Sequence, residues 1–131
     1  MVGYLKMKEL KFRAIIPERN ATIYFTLRDL IQDTFSNREI LWEWLEEGHR
    51  PDLFTGAEDK YGKDIYEKDI VRYSDGYTAV VVWKDTGFGL EFIEQVENPR
   101  TWYYLPKGNV LEILGNIYEH PELIVLLSDD G

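Results

Sequence analysis

From Leu10 to Ala14 apolar and polar residues alternate, with Leu10, Phe12 and Ala14 on one side and Lys11 and Arg13 on the other. A period of two predicts a half-buried β-strand over 10–16, because successive side chains leave a strand on opposite faces. Pro17 ends it, Pro-Glu-Arg-Asn at 17–20 supplies a turn, and the β-branched, aromatic run at 21–25 predicts the returning strand. The period then changes. Thr26 is followed three residues later by Asp29, and Ser36 by Glu39, the hydroxyl-to-acid spacing of two capping boxes. Leu27, Leu30, Ile31 and Phe35 follow the first box at helical spacing; Ile40, Leu41, Trp44 and Leu45 follow the second; Gly48 is the expected stop. The segment 27–47 therefore predicts two short helices with a break near Ser36, a single longer helix being the alternative.

Beyond residue 54 the punctuation is that of a β protein. Asp59-Lys60-Tyr61-Gly62 has the Asp-first, Gly-fourth form of a type I turn. Ile65, Tyr66, Ile70 and Val71 open an apolar strand system, and Asp75-Gly76 between two β-rich runs is a hairpin signal. Asp85-Thr86-Gly87 repeats it, and 101–105 and 110–118 read as further strands. About seven short strands with regular turns predict an α+β chain, mostly β, with a small β-barrel-like core. The organisation expected is a single domain over 1–131, with a helical insertion at 27–47 and a β-rich core over 54–131.

Composition narrows the function classes. Nineteen aromatics in 131 residues belong to a folded core, not to a disordered chain. Cysteine is absent, which excludes disulfide scaffolds, zinc–thiolate sites and thiol nucleophiles. The net charge of −9 argues against nucleic acid as a partner, and it is uneven. Lys6, Lys8, Lys11 and Arg13 make the first sixteen residues basic, so the remainder is more acidic than the total. The same charges break every apolar run near the start, so neither a signal core nor a membrane span is predicted, and the expected location is the cytoplasm.

Known catalytic patterns are missing. There is no G-x-S-x-G, no Walker A, and Gly87-Phe88-Gly89 lacks the third glycine of a dinucleotide loop. Only His49 and His120 are available as imidazoles, and no H-E-x-x-H occurs. Placing Gly62 at position six of an EF-hand loop puts Ala57, Tyr61 and Lys68 where oxygen ligands belong, so that test fails. No catalytic residue, cofactor or metal is predicted. The weak candidates for acid–base or cation chemistry are Asp59, Asp64, Glu67 and Asp69. On a strand Glu67 and Asp69 would share a face, but the interleaved Lys60, Lys63 and Lys68 also fit charge pairing on a solvated turn. Trp42 falls off the face formed by Leu41, Trp44 and Leu45, and one of Tyr103 and Tyr104 must point outward. These three are the interface candidates, since exposed Trp and Tyr bury much area at low entropic cost.

Three blocks then resemble one family. Phe54-Thr55-Gly56 leading through Asp59, Gly62, Ile65, Tyr66, Glu67 and Asp69 to Val71 resembles the central signature of the YopX family of phage and prophage proteins. The run from Gly115 and Asn116 through Tyr118 to Pro121 is similar to that family's ending, and Lys11-Phe12-Arg13-Ala14 to its start. The chain departs at Ile15-Ile16, where the family often has Trp-Asp, and at Lys68, where it usually has glycine. Met7 sits where family members begin, making 1–6 an extension. The resemblance implies a mostly β, barrel-like fold, gene carriage by phage, and structural roles for the matched residues; it carries no catalytic residue. The expectation is an accessory protein that binds a protein partner or itself as a homo-oligomer. The alternatives are a nucleic-acid-binding small barrel and a metal-dependent enzyme built on the 59–69 carboxylates.

Overall fold

The alternating run becomes β1 (Lys11–Ile16) and the aromatic run becomes β2 (Ala21–Thr26), antiparallel and in register from Lys11↔Thr26 to Ile16↔Ala21. Pro17–Arg19 makes one turn of 3₁₀ helix between them, closed by Asn20 in the left-handed region at φ 50°. The computed structural model describes residues 10–33, 35–74, 76–84, 87–93, 102–106 and 110–128. The proposed extension at 1–6, and Asp75, Asp85 and Thr86 of the two hairpin signals, lie outside them.

The chain divides into two units, Met1–Phe54 and Thr55–Gly131. In the first, two short helices follow β2, as the spacing predicts: α1 (Leu27–Gln32) and α2 (Arg38–Glu46). The first capping box forms in full. Thr26 Oγ1 accepts from the Asp29 N–H at 3.1 Å, and the Asp29 carboxylate accepts from the Thr26 N–H at 2.8 Å. The second does not form. The residue preceding α2 is Asn37 in the left-handed region at φ 61°, with no side-chain cap, so Ser36 stands one position too early. Ala14, Ile16, Ile23, Phe25 and Leu41 are buried together, with Phe12, Leu30, Phe35 and Trp44 packed against them. Ile31, placed on the apolar face by its spacing, is 76% exposed; a six-residue helix makes under two turns and seats only part of that face.

The half-buried expectation for β1 also fails, because Arg13 is only 5% exposed. Its Nε and Nη2 both bond Asp52 Oδ2, at 3.2 and 3.0 Å, and Asp52 opens β3 (Asp52–Glu58) beside β1. A buried charge persists only with its countercharge at hand, so Arg13 reads as polar in sequence and as core in the fold.

In the second unit β4 (Asp64–Tyr66) lies beside the end of β3, with Thr55 Oγ1 donating to the Ile65 carbonyl at 2.7 Å. A five-stranded antiparallel sheet follows from β5 (Asp69–Arg72), β6 (Thr78–Lys84), β7 (Gly87–Phe92), β8 (Trp102–Tyr104) and β9 (Glu112–Asn116), in the order β8-β7-β6-β5-β9. β6 and β7 pair without a break from Ala79↔Phe92 to Lys84↔Gly87. Ile65, Val71, Ala79, Val81, Leu90 and Leu111 form the core of this unit. The described structure is mostly β, with two antiparallel sheets, one of them a half-barrel, and few short helices. A third helix, α3 (Pro121–Ser128), was not foreseen. Its start is legible in retrospect: proline is favoured at the first helical position and Glu122 suits the positive end of the helix.

Candidate functional site

The sequence-predicted carboxylates are placed by two tight turns. The Asp59–Gly62 turn closes with the Gly62 N–H on the Asp59 carbonyl at 2.9 Å, and Gly62 takes φ 82°. The Asp59 side chain, 2% exposed, turns back into it. Oδ1 accepts from the N–H groups of Tyr61 and Lys63, both at 2.9 Å, and Oδ2 accepts from Ile113 N–H at 3.2 Å. Burial pushes this carboxyl up. The three backbone donors and the Lys63 charge outweigh that and hold it below its ordinary value of 3.8. Asp59 thus ties its own turn to β9, 54 positions away.

The second turn lies between β4 and β5. Lys68 sits at φ 75°, the left-handed region that a glycine would enter freely. Its N–H bonds the Val81 carbonyl at 2.7 Å and its carbonyl accepts from Ile117 N–H at 3.1 Å, so the strained residue is pinned from both sides. Asp69 Oδ2 accepts from the Tyr66 N–H at 2.8 Å and closes this turn. Glu67 therefore belongs to the turn and not to the strand, and the shared face predicted for Glu67 and Asp69 does not exist. Nor is this a solvated turn: Glu67 and Asp69 are 3% and 2% exposed. Asp64 begins β4 and is half-buried. Among the described residues no three of Asp, Glu and His gather closely enough to hold a metal ion.

The Gly115–Pro121 block is a third turn. Asn116 Oδ1 accepts from the N–H groups of Tyr118 and Glu119, and its Nδ2 donates to Glu119 Oε1 at 2.9 Å. His120 Nδ1 accepts from Asn116 N–H at 3.2 Å. The imidazole lies so close over Gly115 that a Cβ there would stand 2.4 Å from Nδ1. Gly115 is needed for this close approach, and His120 acts as a clip on the turn. His49 stacks on Trp44 with ring centroids 5.1 Å apart.

Among the described residues a groove of about 310 Å³ opens on the second unit. Val80 and Val82 of β6 form its floor, Ile117 and Ile124 one flank, and Ile93 with Glu91 of β7 the other; Lys68 borders it too. Sequence reasoning missed it. The signal available was the unbroken apolar run at 79–83, which leaves valines on both faces of β6 where a half-buried strand would alternate.

The interface candidates fare unequally. Trp42 is 39% exposed, and its indole N–H donates to Asp33 Oδ1 at 2.9 Å, tying α2 to the end of α1. Tyr103 and Tyr104 lie on β8 opposite Leu90 and Gly89, and their side chains fall outside the described residues.

A family model described as YopX protein matches residues 11–125. The chain belongs to the YopX family. No curated protein matches it. The YopX match runs from the first residue of β1 into α3 and takes in both units. The matched span contains both buried-carboxylate turns and the Asn116–His120 clip. Within the matched span Lys68 holds a positive-φ conformation that glycine enters freely, and it borders the groove. No helix among the described residues is long and apolar enough to cross a membrane.

Proposed function

We propose that this YopX-family chain is a phage- or prophage-encoded accessory protein that acts in the cytoplasm of its host by binding a protein, without catalysing a reaction. The observation that carries the reading is the open groove over Val80 and Val82, an apolar concavity with a charged group on each border. Protein-binding patches combine an apolar core with a polar rim. The acids that an enzyme reading would employ have other work. Asp59 accepts backbone N–H groups of its own turn and of Ile113, and Asp69 that of Tyr66, so these carboxylates are engaged in holding the fold.

Affinity capture of the tagged protein from host lysate, with and without nuclease, tests the reading. A specific protein retained in both arms is the expected result. Retention abolished by nuclease would replace it with nucleic-acid binding, and turnover of a substrate by the purified chain would replace it with catalysis.

A further inference from the structure

The two charges at the groove are arranged across its floor. Val80 stands directly opposite Glu91 in the β6–β7 register, so the anion lies on one side of β6. Lys68, joined through its N–H to the Val81 carbonyl, lies on the β5 side. Neighbouring strands are spaced by about 4.8 Å, so β6 separates the two residues by roughly two such steps. Neither side chain is ion-paired within the described residues. Lys68 also holds a backbone conformation that disfavours any side chain but glycine, by on the order of 1 kcal/mol. Strain of this kind clusters at ligand clamps and other functional sites.

We propose that the groove seats a short segment of a partner protein in which an acidic and a basic residue bracket two large apolar side chains, the acid meeting Lys68 and the base meeting Glu91. This rests on the protein-binding reading above and names its site and the chemistry of its ligand. The volume fits the apolar part: about 310 Å³ is twice the roughly 150 Å³ of an apolar cavity that accepts benzene. Charge order supplies specificity, because a like-charged segment would meet repulsion at one border. A second copy of this chain is the poorer occupant. Two such concave faces would enclose unfilled space and forfeit dispersion contacts, and each copy brings a charge of −9. A ligand with a single anionic head would satisfy Lys68 and leave Glu91 opposed.

Fluorescence anisotropy with three labelled peptides tests this on the full chain: Glu-Ala-Leu-Leu-Ala-Lys, the same with Lys at both ends, and the same with Glu at both ends. Wild type is expected to bind the mixed peptide about three- to tenfold more tightly than either like-charged one. Lys68→Glu should shift the preference to the double-Lys peptide and Glu91→Lys to the double-Glu peptide. Replacing both leucines by serine should abolish binding. Circular dichroism of each variant controls for folding, and Glu at position 68 bears the same backbone strain as Lys. Equal affinity for all three peptides, or no binding of any, overturns the proposal. So does a dimer seen by light scattering that Lys68→Glu breaks and the Lys68→Glu, Glu91→Lys double variant restores, which would give the groove to a second copy. If a captured host protein is still retained by Lys68→Glu and Glu91→Lys, the groove assignment fails while the protein-binding reading stands.

Discussion

Replacing Asp59 by Asn alters few atoms and removes the charge on which the second unit depends. The amide keeps one acceptor, which can still serve the Tyr61 and Lys63 N–H groups at Oδ1. Its NH₂ takes the place of Oδ2 and confronts the Ile113 N–H, donor against donor. Hydrogen bonds to a charged acceptor contribute about 1.5–3 kcal/mol and neutral ones about 0.5–1.5, while a buried donor left alone costs about 1–3. Two weakened bonds and one orphaned donor together predict a loss of about 3 kcal/mol. Urea unfolding followed by circular dichroism reads the effect: at a slope of about 2 kcal/mol per molar urea the midpoint should fall by roughly 1.5 M at pH 7. The pH dependence has a fixed sign. The folded carboxyl titrates below its ordinary 3.8, so its stabilisation is fully present above that value and is lost as pH falls through the lower, folded value. The gap between wild type and Asp59→Asn should hold from pH 7 to about pH 4 and close only below. An unmoved midpoint at pH 7, or a gap that widens on acidification, would refute the reasoning.

Four other outcomes follow from the same geometry. Arg13→Met or Asp52→Leu alone should cost about 3–5 kcal/mol by breaking a buried ion pair, whereas the double variant should recover most of that in the same urea assay. Lys68→Gly should stabilise the fold by about 1 kcal/mol through relief of the positive φ, and a lowered midpoint would show that the Lys68 side chain supports the fold. Gly115→Ala should destabilise in the wild type and be nearly harmless beside His120→Ala, since the imidazole is what its Cβ would strike; equal losses in both backgrounds would dismiss the clip. Gly56→Ala and Gly62→Ala should each cost about 1 kcal/mol from backbone strain alone, because a Cβ at either position meets nothing within 4 Å; larger losses would mean a clash that the geometry does not contain.

The local elements were legible in the residues. The β1–β2 hairpin, the helix pair with its break, the Asp59–Gly62 turn and the β6–β7 pairing all follow from periodicity and turn chemistry, which act over a few neighbouring positions. Family membership was legible for the same reason, since the resembling blocks are short runs of neighbouring residues. The reading failed where one residue's meaning depends on another far along the chain. One failure was local: Ser36 and Glu39 have capping-box spacing, yet the helix starts after Asn37, which lies in the left-handed region and makes no side-chain cap. The 59–69 acids look like a solvated charge cluster or a cation site until Ile113 is seen to bring its N–H to Asp59. Arg13 looks outward-facing until Asp52, 39 residues away, is set beside it. The groove has no motif at all: Val80 and Val82 meet Ile117 and Ile124 only because β9 returns beside β5. Sequence alone determined the β-rich class, the turns and the family, because backbone preferences and side-chain periodicity are short-ranged. Tertiary structure alone decided which charges are buried and which apolar surface stays open, because burial and ion pairing are properties of residues that meet only after the chain has folded.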